Sequence, residues 1–389
     1  MKRPLRKADH PKLIDTTLCL IYGLNRFRST GPSVSSALSP SGRRRAAAHP
    51  ATGRQVAELA GVSRSAVSLV LSGAGGQHGL SQATQDRVRS AAHALGYTPN
   101  HTASSLRRRR TDTITFVTAE LGNRYFADVV AAAEDAAHAR GYVVNIVTAR
   151  TRKDEADAIG RLCNGAADGL IIHGAAGQAS GLLDQVLARG IACVLLQDPS
   201  AGGSVPCVRA DIEGGGFLAA WHLLQLGHRR VAHVTDRRMA GQAVNERLQG
   251  YQRALAAANV PFDPALVAAG ENSPAGGAEA LRTLMAGLAP RPTAVFAFND
   301  QMAFGAMHAL ASLGLRVPQD VAVVGFDGTD LGAYANPALT SIDHPRQDLG
   351  RMAADAVLDQ LQGRGGAPET CVLPVRLVVR QSCGASVAA

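Results

Sequence analysis

The 389-residue sequence has few cysteines, few aromatic residues and no long apolar run. Its six cysteines are scattered without a Cys-x-x-Cys pair, which argues against a structural zinc site and a dense disulfide framework. No apolar run reaches the roughly 18 residues that a membrane-spanning helix needs. The apolar patch at 18–24 is too short, and too close to Asp15, for a good signal peptide. We therefore expect reduced thiols, no membrane partner and a cytoplasmic location.

Sequence features typical of catalysis are also missing. There is no nucleophile elbow, no phosphate-binding glycine loop between a strand and a helix, and no cluster of metal ligands. The glycine run at 214–216 stands alone and is weak evidence for a nucleotide site. We predict that the protein is not an enzyme, with no catalytic residue, no metal site and no cofactor.

The charge of the chain is very unevenly distributed. The net charge is +9, yet residues 1–110 contain 18 lysines and arginines against 4 acidic residues, and the remainder is mildly acidic. A basic head on an acidic body is typical of a nucleic-acid-binding protein with a second function. Residues 1–50 show no helical or strand periodicity and predict a disordered basic extension. A start site assigned too far upstream explains them equally well.

The stretch at 52–73 predicts two short helices joined by a tight turn. Gly61 supplies a positive φ where the first helix ends, and Ser63 is placed to cap the second helix. A third helix follows, with Ser81 as its cap. The apolar stripes of the first two helices consist of Val56, Ala57, Leu59 and Ala60 and of Val67, Val70 and Leu71.

The second helix then turns a set of mostly polar residues outward near its start. This is the layout of a helix-turn-helix, whose second helix enters the major groove of DNA with its N-terminal residues. We therefore predict a DNA-binding domain at 51–98. Leu69 is apolar, which predicts contact with a thymine methyl group. The candidate DNA-binding residues of this helix are Ser63, Arg64, Ser65, Ser68 and Leu69.

From Thr113 onward, short apolar runs alternate with alanine-rich helical stretches. Such alternation predicts βαβ units and parallel sheets. Because the runs form two series, we expect an α/β body of two doubly wound lobes, whose ligands bind at the carboxyl ends of the strands. The runs of the first series begin at 114, 143, 169 and 192, and those of the second at 231, 294 and 321.

Together these motifs resemble the lactose/galactose-repressor family of bacterial transcription regulators. The resemblance covers roughly residues 52–382 and includes V-A-E-L-A-G-V-S-R-S-A-V-S-L-V-L, L-G-Y-T-P-N at 95–100 and F-A-F-N-D-Q-M-A-F-G-A-M at 296–307. It implies a helix-turn-helix headpiece and, at 113–389, an effector-binding and dimerisation body like a type I periplasmic binding protein. It places lobe crossovers near Asp211, Ile342 and Pro374. Ile212 departs from the family, which usually has Asn there.

For residues 99–112 the resemblance implies a hinge helix. Its leucine, here Leu106, would wedge into the minor groove at the centre of the operator and bend the duplex. The other DNA contacts implied here are Asn100, Ala103 and Arg107. The alternative is a plain basic linker.

The resemblance also implies a small-molecule effector in the cleft between the lobes. Arg247, in an Arg-x-x-Gly-aromatic pattern, would anchor it, since a guanidinium suits hydroxyl pairs or a carboxylate. Asn299 would hydrogen-bond it, and Asp327 would accept hydrogen bonds from two sugar hydroxyls. The alternative is that Arg247 and Asp327 form a structural ion pair.

Other candidate effector contacts follow from the same resemblance. The segment after the first strand supplies Asn123, Tyr125 and Phe126. The two aromatic rings would contact the ligand, or alternatively would only pack the edge of the cleft. His173 and Gln197 fall near ligand positions, although a lone histidine after a strand is often simply hydrogen-bonded. Asn272 stands where purine-binding relatives carry an aromatic ring, which favours a sugar over a nucleobase.

The expected function is therefore an effector-responsive transcription regulator, most consistent with a repressor. It would bind a pseudo-palindromic operator as a homodimer, because paired recognition helices must meet half-sites related by two-fold symmetry. No leucine heptad follows residue 382, which favours a dimer over a tetramer. The alternative is a solute-binding protein of a sugar uptake system, against which residues 52–110 and the missing signal peptide both argue.

Overall fold

The computed structural model describes residues 51–98, 110–118, 121–149, 151–173, 182–198, 203–237 and 242–385. These residues fall into two compact units, one on each side of the boundary at residues 99 and 100. In the ranges described, no helix combines the length and the apolar character needed to cross a membrane.

The N-terminal unit is a bundle of three helices with a small aliphatic core. Thr52, Ser63 and Ser81 each accept a hydrogen bond at the start of one helix, and caps of this kind are worth about 1 kcal/mol each. Gly61 ends the first helix with a φ of 64°. The helices are α1 (Gly53–Ala60), α2 (Arg64–Leu71) and α3 (Gln82–Ala94). The core consists of Val56, Ala57, Ala60, Val67, Val70, Val88, Ala91 and Ala92.

The prediction that Leu59 belongs to this core is wrong. Its side chain is 58% exposed, whereas Val56, Ala57 and Ala60 are buried. Successive residues of a helix are rotated by about 100°, so these three point in directions that span about 100°. Leu59 lies well outside that arc and faces solvent.

The larger unit contains two six-stranded sheets, each with helices on both faces. The first sheet has the order β11-β5-β4-β3-β1-β2, and all its neighbouring strands are parallel. Its strands are β1 (Thr113–Thr118), β2 (Val143–Thr148), β3 (Gly169–His173), β4 (Ala192–Leu196), β5 (Cys207–Ala210) and β11 (Thr370–Leu373).

The second sheet has the order β12-β10-β9-β8-β6-β7. Only β12 at its edge is antiparallel to its neighbour. Its strands are β6 (Val231–Asp236), β7 (Val267–Gly270), β8 (Ala294–Ala297), β9 (Ala322–Asp327), β10 (Thr340–Asp343) and β12 (Arg376–Val378).

Helices connect and cover these strands, so the predicted α/β class with two doubly wound lobes is confirmed. The first lobe has α4 (Arg124–Ala139), α5 (Arg152–Arg161), a π-helical turn (Leu162–Ala166), α6 (Leu182–Ala188) and α12 (Arg346–Leu361). The second has α7 (Ile212–Gln225), α8 (Gln242–Ala257), α9 (Pro274–Gly287), α10 (Asp300–Ser312) and α11 (Leu331–Tyr334), with 3-10 turns at Pro264–Leu266 and Gln381–Cys383. Because helices lie on both faces, β4, β8 and β9 are buried along their whole length.

The chain passes between the two sheets three times. The first passage follows β5, where Asp211 caps α7 by accepting a hydrogen bond from the Gly214 N–H at 2.8 Å. The second lies between β10 and β11, beyond Ile342, which is itself inside β10. Pro374 lies in the third, between β11 and β12. Neither lobe is therefore made from one continuous segment.

Two glycines set the position of α8 in the second lobe. A Cβ atom on Gly216 would lie 2.5 Å from the Arg247 carbonyl oxygen, and one on Gly250 would lie 2.1 Å from the Glu213 carbonyl oxygen. Only glycine allows α7 and α8 to approach this closely. This contact fixes the backbone from which the Arg247 side chain extends.

Candidate functional site

Arg247 forms the centre of a buried cluster at the carboxyl ends of the strands of the second lobe. Its guanidinium lies between the rings of Phe298 and Phe326, at 4.2 Å and 4.1 Å from their centroids. The residue is 5% exposed, and Nη1 donates to the Ala243 carbonyl at 3.2 Å. Within the described part of the chain, Nε is buried without a hydrogen-bond partner. Burial lowers the pKa of Arg247 to about 10, so it remains a cation at neutral pH.

Asp327 ends β9 beside this cation, with a φ of 118° and 4% exposure. Its pKa is raised to about 7, mainly by burial and then by the nearby Asp300 carboxyl, while Arg247, Asn123 and Arg346 act to lower it. No ion pair joins Arg247 directly to Asp327, both of which the structure describes. Arg247 and Asp327 are close enough to influence each other's pKa, but they form no direct ion pair.

Asn123 connects the first lobe to Asp327. Its side-chain oxygen caps α4 by accepting from the Tyr125 N–H at 3.0 Å, and its Nδ2 donates to Asp327 Oδ2 at 2.9 Å. A second bond between the lobes runs from Gln301 Nε2 to the Gly122 carbonyl at 3.1 Å. Two of the predicted effector contacts, one from each lobe, therefore bind each other directly.

Gln197 orients Tyr125 in the first lobe. Its Nε2 donates to the Tyr125 hydroxyl at 2.6 Å, and its Oε1 accepts from the Ala210 N–H at 2.8 Å. Burial raises the pKa of Tyr125, so the phenol stays protonated. The Gln197 amide is thus used within the protein, and the Tyr125 ring is presented to the cluster.

Phe126 and His173 form an edge-to-face pair, with ring centroids 4.6 Å apart. Phe126 also packs edge-on against Tyr125 at 5.0 Å. Burial lowers the pKa of His173 to about 4, which keeps the imidazole neutral. Its Nδ1 has no hydrogen-bond partner in the described ranges. His173 therefore contributes a neutral ring beside Phe126, with Nδ1 unpaired among the described residues.

Asn299 and Asn272 lie together at the end of β8. Asn299 Oδ1 caps α10 by accepting from the Met302 N–H at 2.9 Å, and its Nδ2 donates to Asn272 Oδ1 at 2.6 Å. The neighbouring Asp300 accepts from the Ser341 hydroxyl at 2.5 Å and from the Thr329 N–H and hydroxyl at 2.7 and 2.8 Å. Asp300 therefore holds the loop that follows Asp327.

Sequence reasoning missed several residues of the cluster. Phe298 and Phe326 lie in apolar runs that predict strands, and their position at the ends of those runs is the signal that could identify them. His344 follows β10 and is 3% exposed, with its ring 5.0 Å from that of Tyr125. Arg346 donates to the carbonyls of Asp327 and Gly328 and forms an ion pair with Asp128 at 3.1 Å. No local periodicity marks the last two, because only the pairing of β9 and β10 brings them here.

In the N-terminal unit, α2 presents the predicted DNA-reading residues. Arg64, Ser65 and Ser68 are exposed, and Leu69 is partly buried. Ser63 accepts a hydrogen bond from the Ala66 N–H at 3.2 Å, so its hydroxyl also caps the helix. The predicted hinge contacts Asn100, Ala103, Leu106 and Arg107 lie outside the described residues.

Comparison with known proteins places this architecture in a family. Residues 54–100 match the model of the bacterial regulatory proteins of the lacI family, and residues 220–383 match that of the periplasmic binding protein-like domain. The HTH-type transcriptional regulator CelR of Thermobifida fusca is 35% identical over 335 residues, which are 84% of this chain and 96% of CelR. The chain belongs to the lacI family. The resemblance inferred from the sequence is thereby confirmed, and the protein is a transcriptional regulator of this family.

Other lacI-family proteins match over similar lengths. The HTH-type transcriptional repressor PurR of Yersinia pestis bv. Antiqua (strain Antiqua) is 32% identical over 339 residues, 85% of this chain and 96% of PurR. A complex of CelR with cellobiose has a TM-score of 0.66 at 34% identity, covering 85% of this chain and 99% of CelR. The lac repressor dimer bound to operator and the anti-inducer ONPF has a TM-score of 0.76 at 29% identity, covering 87% and 100%. Both lobes and the headpiece therefore have lacI-family counterparts.

Proposed function

We propose that the protein is a repressor that binds a pseudo-palindromic operator as a homodimer and is switched by a sugar-like effector between its lobes. The observation that carries the proposal is the buried Arg247, held between Phe298 and Phe326 beside Asp327. A planar cation and a carboxyl at the ends of parallel strands suit a ligand with several hydroxyl groups. CelR, which is similar over most of this chain, is known in complex with a sugar.

Each predicted effector residue has a role in this proposal. Arg247 donates to ligand oxygens, Asp327 accepts from hydroxyl groups, and Asn299 presents its amide beside Asn272. Aromatic rings cover the apolar faces of a sugar well, and Tyr125 and Phe126 supply them from the first lobe. His173 lies against Phe126, Gln197 orients Tyr125, and Asn123 meets Asp327 across the cleft.

Domain boundaries and DNA contacts form the second part of the proposal. The headpiece at 51–98 reads base edges through Arg64, Ser65, Ser68 and Leu69 of α2, with Ser63 at the helix start. The stretch at 99–112 acts as the hinge, and the body at 113–389 binds effector and forms the dimer. The hinge contacts would be Asn100, Ala103, Leu106 and Arg107. Because operator DNA is the partner, we place the protein in the cytoplasm.

Exposed apolar residues on both lobes support the homodimer. On the edge strand β2, Val143 is 61% exposed and Ile146 is 45% exposed. On α11, Leu331 is 59% and Tyr334 is 86% exposed, beside a groove of about 690 Å³ lined by α10 and the segment around residue 336. An association surface between two copies would cover these exposed apolar side chains. A lacI-family relative, the lac repressor, is known as a dimer on its operator.

The proposal is tested by selecting duplexes from random DNA with the full chain. We expect a pseudo-palindromic sequence to be enriched. The affinity of the protein for this duplex should change when a sugar that binds the protein is added. The matched control is Arg54→Ala, which removes a positive charge from α1 and leaves α2 intact. This variant should keep the selected sequence, whereas Arg64→Ala should relax it. Enrichment of no sequence, or of one without two-fold symmetry, would contradict the proposal.

A further inference from the structure

The chain reaches β1 next to a carboxylate that binds its backbone. Asp168 is half-buried and lies directly before β3, after the π-helical turn. Its Oδ1 accepts from the Thr111 N–H at 2.7 Å and from the Thr111 hydroxyl at 2.8 Å, and its Oδ2 accepts from the Asp112 N–H at 2.8 Å. Hydrogen bonds to an ionised acceptor are stronger than those between neutral groups. One side chain therefore fixes two successive residues where the chain from the headpiece joins the body.

The backbone of Asp112 is held in a rare conformation at this point. Its φ is 53°, in the left-handed region that few residues other than glycine, asparagine and aspartate adopt. Its N–H is bound by Asp168, and its carbonyl accepts from the Val143 N–H at 2.9 Å. Such a conformation persists only where the surroundings hold it firmly. The direction of the chain into β1 is thus set by contacts beside β2 and β3, the two strands that flank β1.

Arg110 attaches the same segment to the helices of the first lobe. Its Nη2 donates to the Tyr142 hydroxyl at 2.7 Å and to the carbonyl of Leu361, the last residue of α12, at 3.4 Å. Arg140, directly after α4, pairs with Asp359 at 2.8 Å and holds this end of α12 in place. The side chains of Asp168, Arg110 and Tyr142 together form a linker clamp that binds the segment to the body on two sides.

Helix α12 connects the linker clamp to the second lobe. Its first residue, Arg346, donates to the carbonyls of Asp327 and Gly328, the latter at 2.8 Å. Its last residue is Leu361, which accepts from Arg110. A helix of 16 residues spans about 24 Å. Packed helices and hydrogen-bond networks are the elements that carry energetic coupling between distant sites. A shift of the second lobe at one end of α12 would therefore reach the linker clamp at the other end.

We propose that the linker clamp couples the body to DNA binding. Asp168, Arg110 and Tyr142 are positioning residues, which make the stretch at 99–112 respond to the body and contact neither DNA nor effector. This inference rests on the proposed function, because it names the contacts through which the body would act on the hinge. It also separates Arg110 from Arg107, since Arg110 serves the body and Arg107 is proposed to contact DNA.

The experiment measures how much bound DNA stabilises the body of the full-length protein. The duplex is the one selected from random DNA, and thermal unfolding is followed by the fluorescence of Trp221, the single tryptophan, on α7. The proposed DNA contacts lie in the headpiece and hinge, so the duplex raises the unfolding midpoint of the body only if the two are coupled. We expect a rise in the original protein and less than half of that rise in Asp168→Asn.

Two variants test the two sides of the linker clamp. Asp168→Asn keeps the shape of the side chain, but its amide group places a donor against a donor N–H. Tyr142→Phe removes the acceptor of Arg110, and it tests the same coupling with Asp168 intact. The matched control is Asp157→Asn, since Asp157 is exposed on α5 of the same lobe and should keep the full rise. The change in midpoint on adding duplex, rather than the midpoint itself, separates coupling from lost stability.

A second measurement adds glucose, ribose or cellobiose to the complex of protein and duplex. Where one of them changes the affinity of the original protein for the duplex, Asp168→Asn should still bind that sugar within about threefold. The effect of the sugar on DNA affinity, typically about 5–150-fold in coupled systems, should be mostly lost in this variant.

Three results would overturn the inference. They are no rise of the midpoint in the original protein, an equal rise in the original protein and a folded variant of the linker clamp, and loss of sugar binding itself in Asp168→Asn. A different result would contradict the proposed function alone. In that case none of the three sugars changes the affinity for the duplex, whereas the rise of the midpoint still depends on Asp168.

Discussion

Replacing Asp327 by Asn should make the ligand-free protein more stable at alkaline pH. The carboxyl is buried, and its pKa is raised from 3.8 to about 7. The native state therefore binds a proton that the unfolded state releases, so stability falls as pH rises through this window. This difference of about three units between the two pKa values corresponds to a change of at most about 4 kcal/mol in the free energy of unfolding. Because Asn also weakens the attraction to Arg247, the net effect is smaller than this limit. We expect Asp327→Asn to raise the free energy of unfolding by about 2 kcal/mol at pH 8 and by less at pH 5.

Urea denaturation of the full chain measures this effect. The single tryptophan, Trp221, lies on α7, so its fluorescence reports unfolding of the larger unit. The control is Asp320→Asn, since Asp320 is exposed and its pKa is lowered by Arg316. A lowered pKa contributes stability that is already complete above about pH 4, so this variant should show no change in its effect between pH 5 and 8. A gain for Asp327→Asn that is absent at pH 8, or does not grow with pH, would refute the reasoning.

Three further substitutions test the cleft, the headpiece and the dimer. Arg247→Lys should abolish the thermal shift caused by a bound sugar while DNA binding is retained, because an ammonium group lacks the planar fork that lies between two rings; a normal shift would contradict this role. Arg64→Ala should weaken binding to the selected operator by about 1–3 kcal/mol, and an equal loss on random DNA would show a phosphate contact instead. Tyr334→Asp should convert the dimer to a monomer in light scattering, because it places a charge on an apolar surface; an unchanged mass would exclude α11 from the interface.

The alternation of strands and helices was sufficient to predict two lobes. Each apolar run is short and bounded by helical stretches, and that arrangement permits few topologies. Asn299 and Asp327 were nominated by the resemblance to the family. They follow or end the neighbouring parallel strands β8 and β9, whose carboxyl ends meet at one edge of the sheet.

The parts that could not be predicted depend on contacts distant in sequence. Nothing in the sequence around Gln197 shows that both ends of its amide are used by Tyr125 and Ala210. The bond between Asn123 and Asp327 joins residues that are 204 positions apart. His344 enters the cluster only because β10 pairs with β9. Leu59 differs in kind, because it is apolar but its angular position on α1 directs it to solvent, and apolar character alone does not predict burial.

The three passages of the chain between the sheets have a consequence for biosynthesis. The first sheet lacks β11 until residues 370–373 have been made, and the second lacks β12 until residues 376–378 follow. The first lobe therefore cannot complete its sheet as soon as its N-terminal segment leaves the ribosome. Both sheets are completed within the same short C-terminal stretch. A nonsense mutation anywhere before residue 370 would therefore damage both lobes at once, however late in the gene it falls.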